Sequence, residues 1–243
     1  HHRSVFPSTT RTTSASIATG CQPCRHGLEG NCVALDEGEG LVAMSVGPPT
    51  FRDRLKRATG QTLRVPTLAQ RLAGEGGCIV YSNVSPGAAI FQDPDGYGWM
   101  YHRDIAYGPG RKAQELLGVS HDANGDRAMT ERFIGEIITE RRPALAVLWQ
   151  CEPDHTQHAQ PLGSPAHLRA IAAADANAGK VMEALSSSDE DTLLIVASDH
   201  GHETTGEIIP LQTMLIDAGF KAGTSSADVV VASNGLSASI YIE

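Results

Sequence analysis

The sequence predicts an α/β fold, a three-layer α/β/α sandwich in which helices cover both faces of a mostly parallel central sheet. Short apolar runs of strand length alternate along the chain with longer segments of helical periodicity. The run at 193–197 is continuously apolar, which is typical of a strand buried on both faces. The composition, 41% hydrophobic and 19% charged residues over 243 residues, is that of a folded globular protein.

The predicted elements follow from these patterns. Buried strands are expected at 41–46, 78–84, 144–148, 193–197 and 229–232. Helices are expected at 67–73, 129–141, 164–185 and 210–218, and Ser164 followed by Pro165 is a favourable helix start. The Gly-, Pro- and Asp-rich segment 85–111 is predicted to be an irregular cap or loop that flanks the active site. Its aromatic residues are expected either to stack on a nucleobase or to pack against one another.

Charge and composition exclude several classes of function. The chain has 19 Lys and Arg against 28 Asp and Glu, a net charge of −9, which disfavours binding to a nucleic-acid duplex. No apolar run approaches the roughly 20 residues that a membrane-spanning helix needs. Five cysteines, an odd number in a long chain, argue against a disulfide scaffold. We therefore expect a soluble protein that binds a small molecule; its compartment and oligomeric state are left open.

Carboxylate and imidazole side chains follow two of the predicted strands. Asp154 and His158, spaced i, i+4, come after the strand at 144–148, and the adjacent pair Asp199 and His200 follows the strand at 193–197. In parallel sheets, ligand chemistry lies beyond the carboxyl ends of the strands. Carboxylate and imidazole together are ligands that suit zinc or manganese. The two pairs therefore predict a metal site at this edge.

A third element lies near the start of the chain. Residues 10–19 are predicted to form a helix with Thr10 at its amino end, where free N–H groups stabilise negative charge. A threonine hydroxyl is a weak nucleophile unless a metal ion or a base activates it. Taken alone, the segment favours the simpler interpretation as an ordinary Ser/Thr-rich helix cap.

Taken together, these residues resemble the type I phosphodiesterase/nucleotide pyrophosphatase family of the alkaline phosphatase superfamily, over nearly the whole chain. That family has a nucleophilic Thr followed by TG, P, HG and a phosphate-binding Asn, and later PDxxxH and SDHG. The matching positions here are Thr10, Thr19, Gly20, Pro23, His26, Gly27 and Asn31, then Pro153, Asp154 and His158, and finally Ser198, Asp199, His200 and Gly201. The order and the offsets make the resemblance specific.

The resemblance implies a hydrolase that cleaves phosphodiester or nucleotide pyrophosphate bonds through a covalent phospho-threonine on Thr10. It implies two divalent metal ions, most simply Zn²⁺, with Mn²⁺ as the alternative. One ion would be held by Thr10, Asp199 and His200, and the other by Asp154 and His158. Asn31 would bind a phosphate oxygen, and the substrate would be a phosphate ester or a nucleotide.

The chain also departs from the family pattern. The family takes a further Asp from a strand ahead of the nucleophile and a final His from well beyond SDHG, and this chain has neither segment. We therefore expect residues 1–243 to form a single incomplete catalytic domain, truncated at both ends, that binds metal poorly by itself. His202, where many relatives have Met, is interpreted as a neighbour of the ligands or a surface residue. His155 and His167 are expected to be exposed.

Three alternatives were weighed. The run from Cys21 to Arg25 fits the CxPxR signature of sulfatases, but in that family the reactive Cys lies nine residues before TG, where this chain has Thr10. A phosphonoacetate-hydrolase-like enzyme that cleaves a C–P bond uses a similar Thr and metal set, so it stays open. An inactive remnant of the fold that acts as a binding module also stays open.

Overall fold

The structure is a computed structural model that describes residues 3–188 and 191–242. The strands within these ranges are β1 Cys32–Asp36, β2 Leu41–Ser45, β3 Cys78–Ser82, β4 Trp99–His102, β5 Ala106–Gly108, β6 Lys112–Ala113, β7 Leu145–Trp149, β8 Val229–Asn234 and β9 Ser237–Ile242. Five of them form the central sheet in the order β6-β5-β4-β3-β7. The longer strands β4, β3 and β7 are parallel, and the short β5 and β6 add antiparallel pairings at one edge.

The described α-helices are α1 Thr10–Thr19, α2 Pro23–His26, α3 Phe51–Thr59, α4 Leu68–Arg71, α5 Pro86–Ile90, α6 Ala123–Phe133, α7 Asp154–Ala159, α8 Pro165–Ser186 and α9 Leu211–Asp217. A π-helix, Ile134–Arg141, continues α6, and a 3₁₀ turn spans Pro109–Arg111. The Ser164 hydroxyl caps α8 as predicted, accepting the His167 N–H at 3.3 Å. The helix predicted at 67–73 shrinks to the single turn of α4. No helix within the described ranges is long and apolar enough to cross a bilayer.

Three layers form because alternate side chains of β3 point to opposite faces of the sheet. Cys78 and Val80 pack on the face that α4 and α5 cover. Ile79 and Tyr81 pack on the other face, against residues of α6, the π-helix and α8. All five residues of β3 are buried, which explains its unbroken apolar run. The predicted α/β/α sandwich with a parallel centre is confirmed.

The prediction of a buried strand at 193–197 is wrong. Within the described residues this segment has no strand pairing, and Leu193 and Ile195 are 84% and 74% exposed. It instead lines a cavity of about 1550 Å³, here called the β7 cleft, that the residues of β7 also line. Apolar character predicts a tendency to be buried, but a strand also needs a neighbouring strand at hydrogen-bonding distance, about 4.8 Å.

Two further strand predictions are correct in type and wrong in setting. Segments 41–46 and 229–232 do form strands, yet each belongs to an antiparallel hairpin, β1–β2 or β8–β9, outside the central sheet. β2 has no buried residue, and β8 is only partly buried. Neighbouring strands joined by a short turn pair with each other first, and apolar content alone does not distinguish this from burial in a parallel sheet.

Segment 85–111 is not an irregular loop. It contains α5, β4 and β5, so it supplies part of the central sheet. Of the aromatic residues considered for base stacking, Phe91 is buried against Phe51, and Trp99 stacks on Tyr101 beneath the Arg141 guanidinium. These contacts support the packing interpretation for these side chains.

Candidate active site

The helix predicted at 10–19 is present as α1, and Thr10 lies half-buried in its first turn. Its packing fixes the position of that turn. Ala15 is fully buried, and the Ser14 hydroxyl donates a hydrogen bond to the Ala88 carbonyl at 2.5 Å. At the other end Gly20, with a φ of 66°, closes the helix by donating its N–H to the Ser16 carbonyl. The amino end of α1 therefore opens toward the β7 cleft, which Thr10 lines.

Thr10, Asp199 and His200 meet at this end of α1. The Thr10 Oγ1 lies 3.0 Å from His200 Nε2, and the Asp199 Oδ2 lies 3.2 Å from the same nitrogen. His200 Nδ1 contacts the Gly201 carbonyl at 2.9 Å, and because a carbonyl only accepts, Nδ1 carries the proton. In the neutral ring Nε2 is then the acceptor for the Thr10 hydroxyl. This tautomer also leaves Nε2 as the atom available to a metal ion.

Asn31 stands beside the same turn of α1. Its side-chain oxygen accepts the backbone N–H of Arg11 at 3.0 Å. Since the oxygen is used in this way, the amide N–H groups of Asn31 are the ones left for a ligand oxygen. The neighbouring Cys32 is held on both its N–H and its carbonyl by the side chain of Asn234, at 2.9 and 3.0 Å.

Asp154 and His158 lie on one face of α7, as the i, i+4 spacing predicts, with Asp154 Oδ2 3.5 Å from His158 Nε2. Glu152 supports the helix start by accepting the N–H and the hydroxyl of Thr156. His202 joins this pair, with its Nδ1 3.5 Å from the second oxygen, Asp154 Oδ1. His202 is thus neither remote nor freely exposed, with 19% of its side chain accessible.

A buried carboxylate that sequence reasoning missed positions the segment ahead of Asp154. Asp126, in α6, accepts the backbone N–H groups of Cys151 and Glu152 at 3.0 and 2.9 Å, and the amide of Asn83 at 2.9 Å. Burial raises the pKa of this carboxyl above its ordinary value. In the sequence, the signal is a single acidic residue on an otherwise core-facing part of a helix. Its role cannot be inferred before its hydrogen-bond partners are known.

The two groups of residues act on each other electrostatically. Burial raises the pKa of Asp199, and the nearby charge of Asp154 raises it further. Burial lowers the pKa of His202, and His158 adds to that effect. Burial also lowers the pKa of Arg11, against the opposing attraction of Asp154. All of these shifts reflect charged groups crowded into a poorly hydrated space.

A buried carboxylate oxygen also indicates that the residues of this site fit divalent cations. Asp154 Oδ1 is shielded from solvent yet accepts no hydrogen bond from any described residue. A buried carboxylate oxygen without a partner is costly, and a cation among the surrounding imidazoles would satisfy it. The roles of Thr10, Asn31, Asp154, His158, Asp199 and His200 nonetheless stay predictions.

Of the two histidines that were expected to be exposed, one is exposed and the other is buried. His155 is exposed, as expected. His167 is not, because it is buried at the start of α8 and its Nδ1 accepts the Gly163 N–H at 2.7 Å. Cys21 lies past the carboxyl end of α1, so the helix, roughly 15 Å long at 1.5 Å per residue, separates it from Thr10.

The type I phosphodiesterase/nucleotide pyrophosphatase family model matches residues 1–243, so the chain belongs to this family and the resemblance is confirmed. Crystal structures of phosphonoacetate hydrolase from Sinorhizobium meliloti 1021 in complex with phosphonoformate and with phosphonoacetate have a similar fold, with TM-scores of 0.62 and 0.60 at 18% and 17% identity. Both comparisons cover 99% of this chain and 60% of that enzyme, so the chain spans well under two thirds of its length.

Murine ectonucleotide pyrophosphatase/phosphodiesterase 5 is a more distant match, with 16% identity and a TM-score of 0.49 over 75% of this chain and 42% of that one. No curated protein sequence matches the chain significantly.

Proposed function

We propose that this chain is the catalytic part of a metal-dependent hydrolase that cleaves phosphodiester or nucleotide pyrophosphate bonds, with Thr10 as the nucleophile. One observation carries the proposal. The hydroxyl of Thr10, at the amino end of a buried helix, and a carboxylate oxygen of Asp199 lie 3.0 and 3.2 Å from a single nitrogen of His200. Such a convergence is costly to maintain in a structural cap and has a direct use in phosphoryl transfer.

The chain's own residues would divide the work as follows. The Thr10 hydroxyl gives its proton to solvent as Oγ1 bonds to phosphorus, and the bond to the leaving oxygen breaks with that oxygen taking up a proton. Water then cleaves the bond between phosphorus and Oγ1, which releases the phosphate product and returns a proton to Thr10. The backbone N–H at the amino end of α1 and the free amide hydrogens of Asn31 donate to the phosphoryl oxygens, where negative charge increases in the transition state. The Asn31 amide is already oriented for this by its bond to Arg11 N–H.

Two divalent ions, most simply Zn²⁺, would be held by Thr10, Asp199 and His200 and by Asp154 and His158. When bound, such ions lower the pKa of a nucleophilic hydroxyl and share the negative charge at phosphorus. The hydrogen bond from His200 Nδ1 to the Gly201 carbonyl orients the ring for this role.

Substitution of the nucleophile tests the proposal. With bis-p-nitrophenyl phosphate as substrate, Thr10→Ala is expected to lower kcat by at least about 1000-fold, because the attacking oxygen is removed. Thr10→Ser keeps that oxygen and is expected to retain part of the activity. Acid-quenched wild type should carry one p-nitrophenyl phosphoryl group on Thr10 by mass spectrometry, because only one of the two p-nitrophenyl groups leaves in the first step, and Thr10→Ala should carry none.

Cys21→Ala is the control for the sulfatase alternative and is expected to leave kcat unchanged. Loss of activity in Cys21→Ala with retention in Thr10→Ala would contradict the assignment of the nucleophile.

A substrate panel tests the bond that is cleaved. The phosphonoacetate hydrolase structures were solved with phosphonoacetate and phosphonoformate, so phosphonoacetate belongs beside nucleotide diesters and monoesters. Preference for diesters supports the proposal, and turnover of phosphonoacetate alone would replace it with C–P bond hydrolysis. Equal rates on all three would contradict the diesterase assignment, while no turnover together with no bound metal would indicate an inactive binding module.

A further inference from the structure

His202 belongs to a compact group of three potential metal ligands. A donor atom from each of Asp154, His158 and His202 lies within 4.8 Å of the other two. The His158 and His202 rings meet edge to face at 84°, with centroids 4.8 Å apart. Each imidazole approaches a different oxygen of Asp154, His158 at Oδ2 and His202 at Oδ1, both at 3.5 Å.

The distances themselves point to an ion rather than to a finished protein contact. At 3.5 Å the two imidazole nitrogens are beyond the 2.7–3.2 Å of a good N–H···O bond. The oxygen that faces His202 is also the buried one that accepts no hydrogen bond from the described chain. A group of donors spaced slightly too widely to bond one another, around an unsatisfied oxygen, suits a cation between them.

We infer that His202 is the third protein ligand of the ion that Asp154 and His158 would hold, an inference that rests on the proposed function. One carboxylate and two imidazoles form a common catalytic zinc set, with the fourth position left for water or substrate. His202 would complete such a set together with Asp154 and His158.

The segment 200–202 makes this possible. His200 points toward Thr10, while His202, two residues on, points toward Asp154. Gly201 between them is exposed, and no atom lies within 4 Å of the position its Cβ would take. Because side chains two residues apart in an extended segment lie on one side of it, one tripeptide supplies a ligand to each proposed ion.

Cobalt(II) titration of the full chain tests the inference without an activity measurement. Followed by visible absorption and by calorimetry, wild type is expected to bind two ions, in place of the poor metal binding expected from the sequence alone, because His202 adds a ligand. His202→Ala is expected to weaken one of the two sites by more than about 100-fold, since even outer partners of metal ligands are worth about 10- to 100-fold in affinity. His155→Ala, which removes an exposed imidazole from the same helix as His158, is the matched control and is expected to bind as wild type does.

His202→Cys provides a positive signal that a structural role would not produce. A thiolate at this position is expected to restore tight binding and to add a thiolate-to-cobalt charge-transfer band that is absent from wild type. Circular dichroism of each variant verifies that the fold is retained.

The outcomes separate this inference from the proposed function. Two ions bound with unchanged affinity in His202→Ala, and no charge-transfer band in His202→Cys, would overturn the role of His202 while leaving the proposed function in place. A wild type that binds no metal would overturn both.

Discussion

The segment that carries Asp154 leaves a paired strand, β7, and is held by Asp126 through two buried backbone hydrogen bonds. The segment that carries Asp199 leaves the exposed run 193–197, which pairs with no strand in the part of the chain that the structure describes. Its main tertiary contacts are a hydrogen bond from the Ser4 hydroxyl to the Asp199 carbonyl at 2.6 Å and the contact between His200 and Thr10. Similar ligand chemistry is therefore supported in two different ways.

The difference shows what holds each half of the site. In the Asp154 segment, buried hydrogen bonds fix the backbone, and the backbone in turn positions the side chains of the proposed ligands. On the Asp199 side, much of the positioning comes from the functional side chains themselves. Stability and metal binding are accordingly expected to respond to different residues in the two segments.

The largest effect is expected at Asp126. Asp126→Ala removes the acceptor of four buried donors, of which the Cys151 thiol is a weak one, and at about 1–3 kcal/mol for each strong donor the free energy of unfolding should fall by about 4 kcal/mol. Urea denaturation measures this. Asp122→Ala, at the N-cap of the same helix, is the matched control; it removes the bond to Gly125 N–H and an exposed bond from the Ser120 hydroxyl, and should cost about 1 kcal/mol. Equal losses in the two variants would show that Asp126 does not support the Asp154 segment in this way.

Lowering the pH is expected to reduce the free energy of unfolding, because the buried His102 must then take up a proton. The His102 ring is fully buried, its Nδ1 accepts the Asp104 N–H, and its Nε2 donates to the Val84 carbonyl, so the neutral form is the one that fits. Burial lowers its pKa to about 4 from an ordinary 6.5. Between these values the unfolded chain binds the extra proton, so stability falls as the pH is lowered, by up to about 3 kcal/mol.

The measurement is the free energy of unfolding between pH 7 and pH 4. His102→Gln should flatten its dependence on pH by about one proton. The buried His26, whose pKa is also lowered to about 4, is expected to add a similar slope that remains in this variant. An unchanged slope in His102→Gln would contradict the assignment of a neutral ring.

The smallest predicted effect is the difference in stability between substitutions in two apolar segments, β7 and the run at 193–197. Val147 in β7 packs against the core beneath the sheet, and Val196 is 72% exposed. Val147→Ala should lower the free energy of unfolding by about 1 kcal/mol, and Val196→Ala by less than about 0.5 kcal/mol. Thermal denaturation compares the pair under identical conditions. A loss at Val196 as large as that at Val147 would mean that the 193–197 run is covered in solution.

Much of the candidate site could be predicted from local sequence. The helix from Thr10 to Thr19 and the shared face of Asp154 and His158 depend on helical periodicity and caps, which act over a few residues. The role of Asp126 could not be predicted, because its partners Cys151 and Glu152 lie 25 and 26 residues away. The proximity of His202 to Asp154 could not be predicted for the same reason, since the two residues lie far apart in the sequence.

The amino-acid sequence by itself determined the α/β class, the family and the residue types of the site, because these depend on periodicity, spacing and side-chain chemistry. Only the tertiary structure decided which apolar runs are buried and which imidazole faces which carboxylate. β3 and the run at 193–197 are alike in composition, yet one is paired on both edges and the other, among the described residues, on neither. Burial and pairing depend on what lies across a gap in space, and that distance is not a local property of the chain.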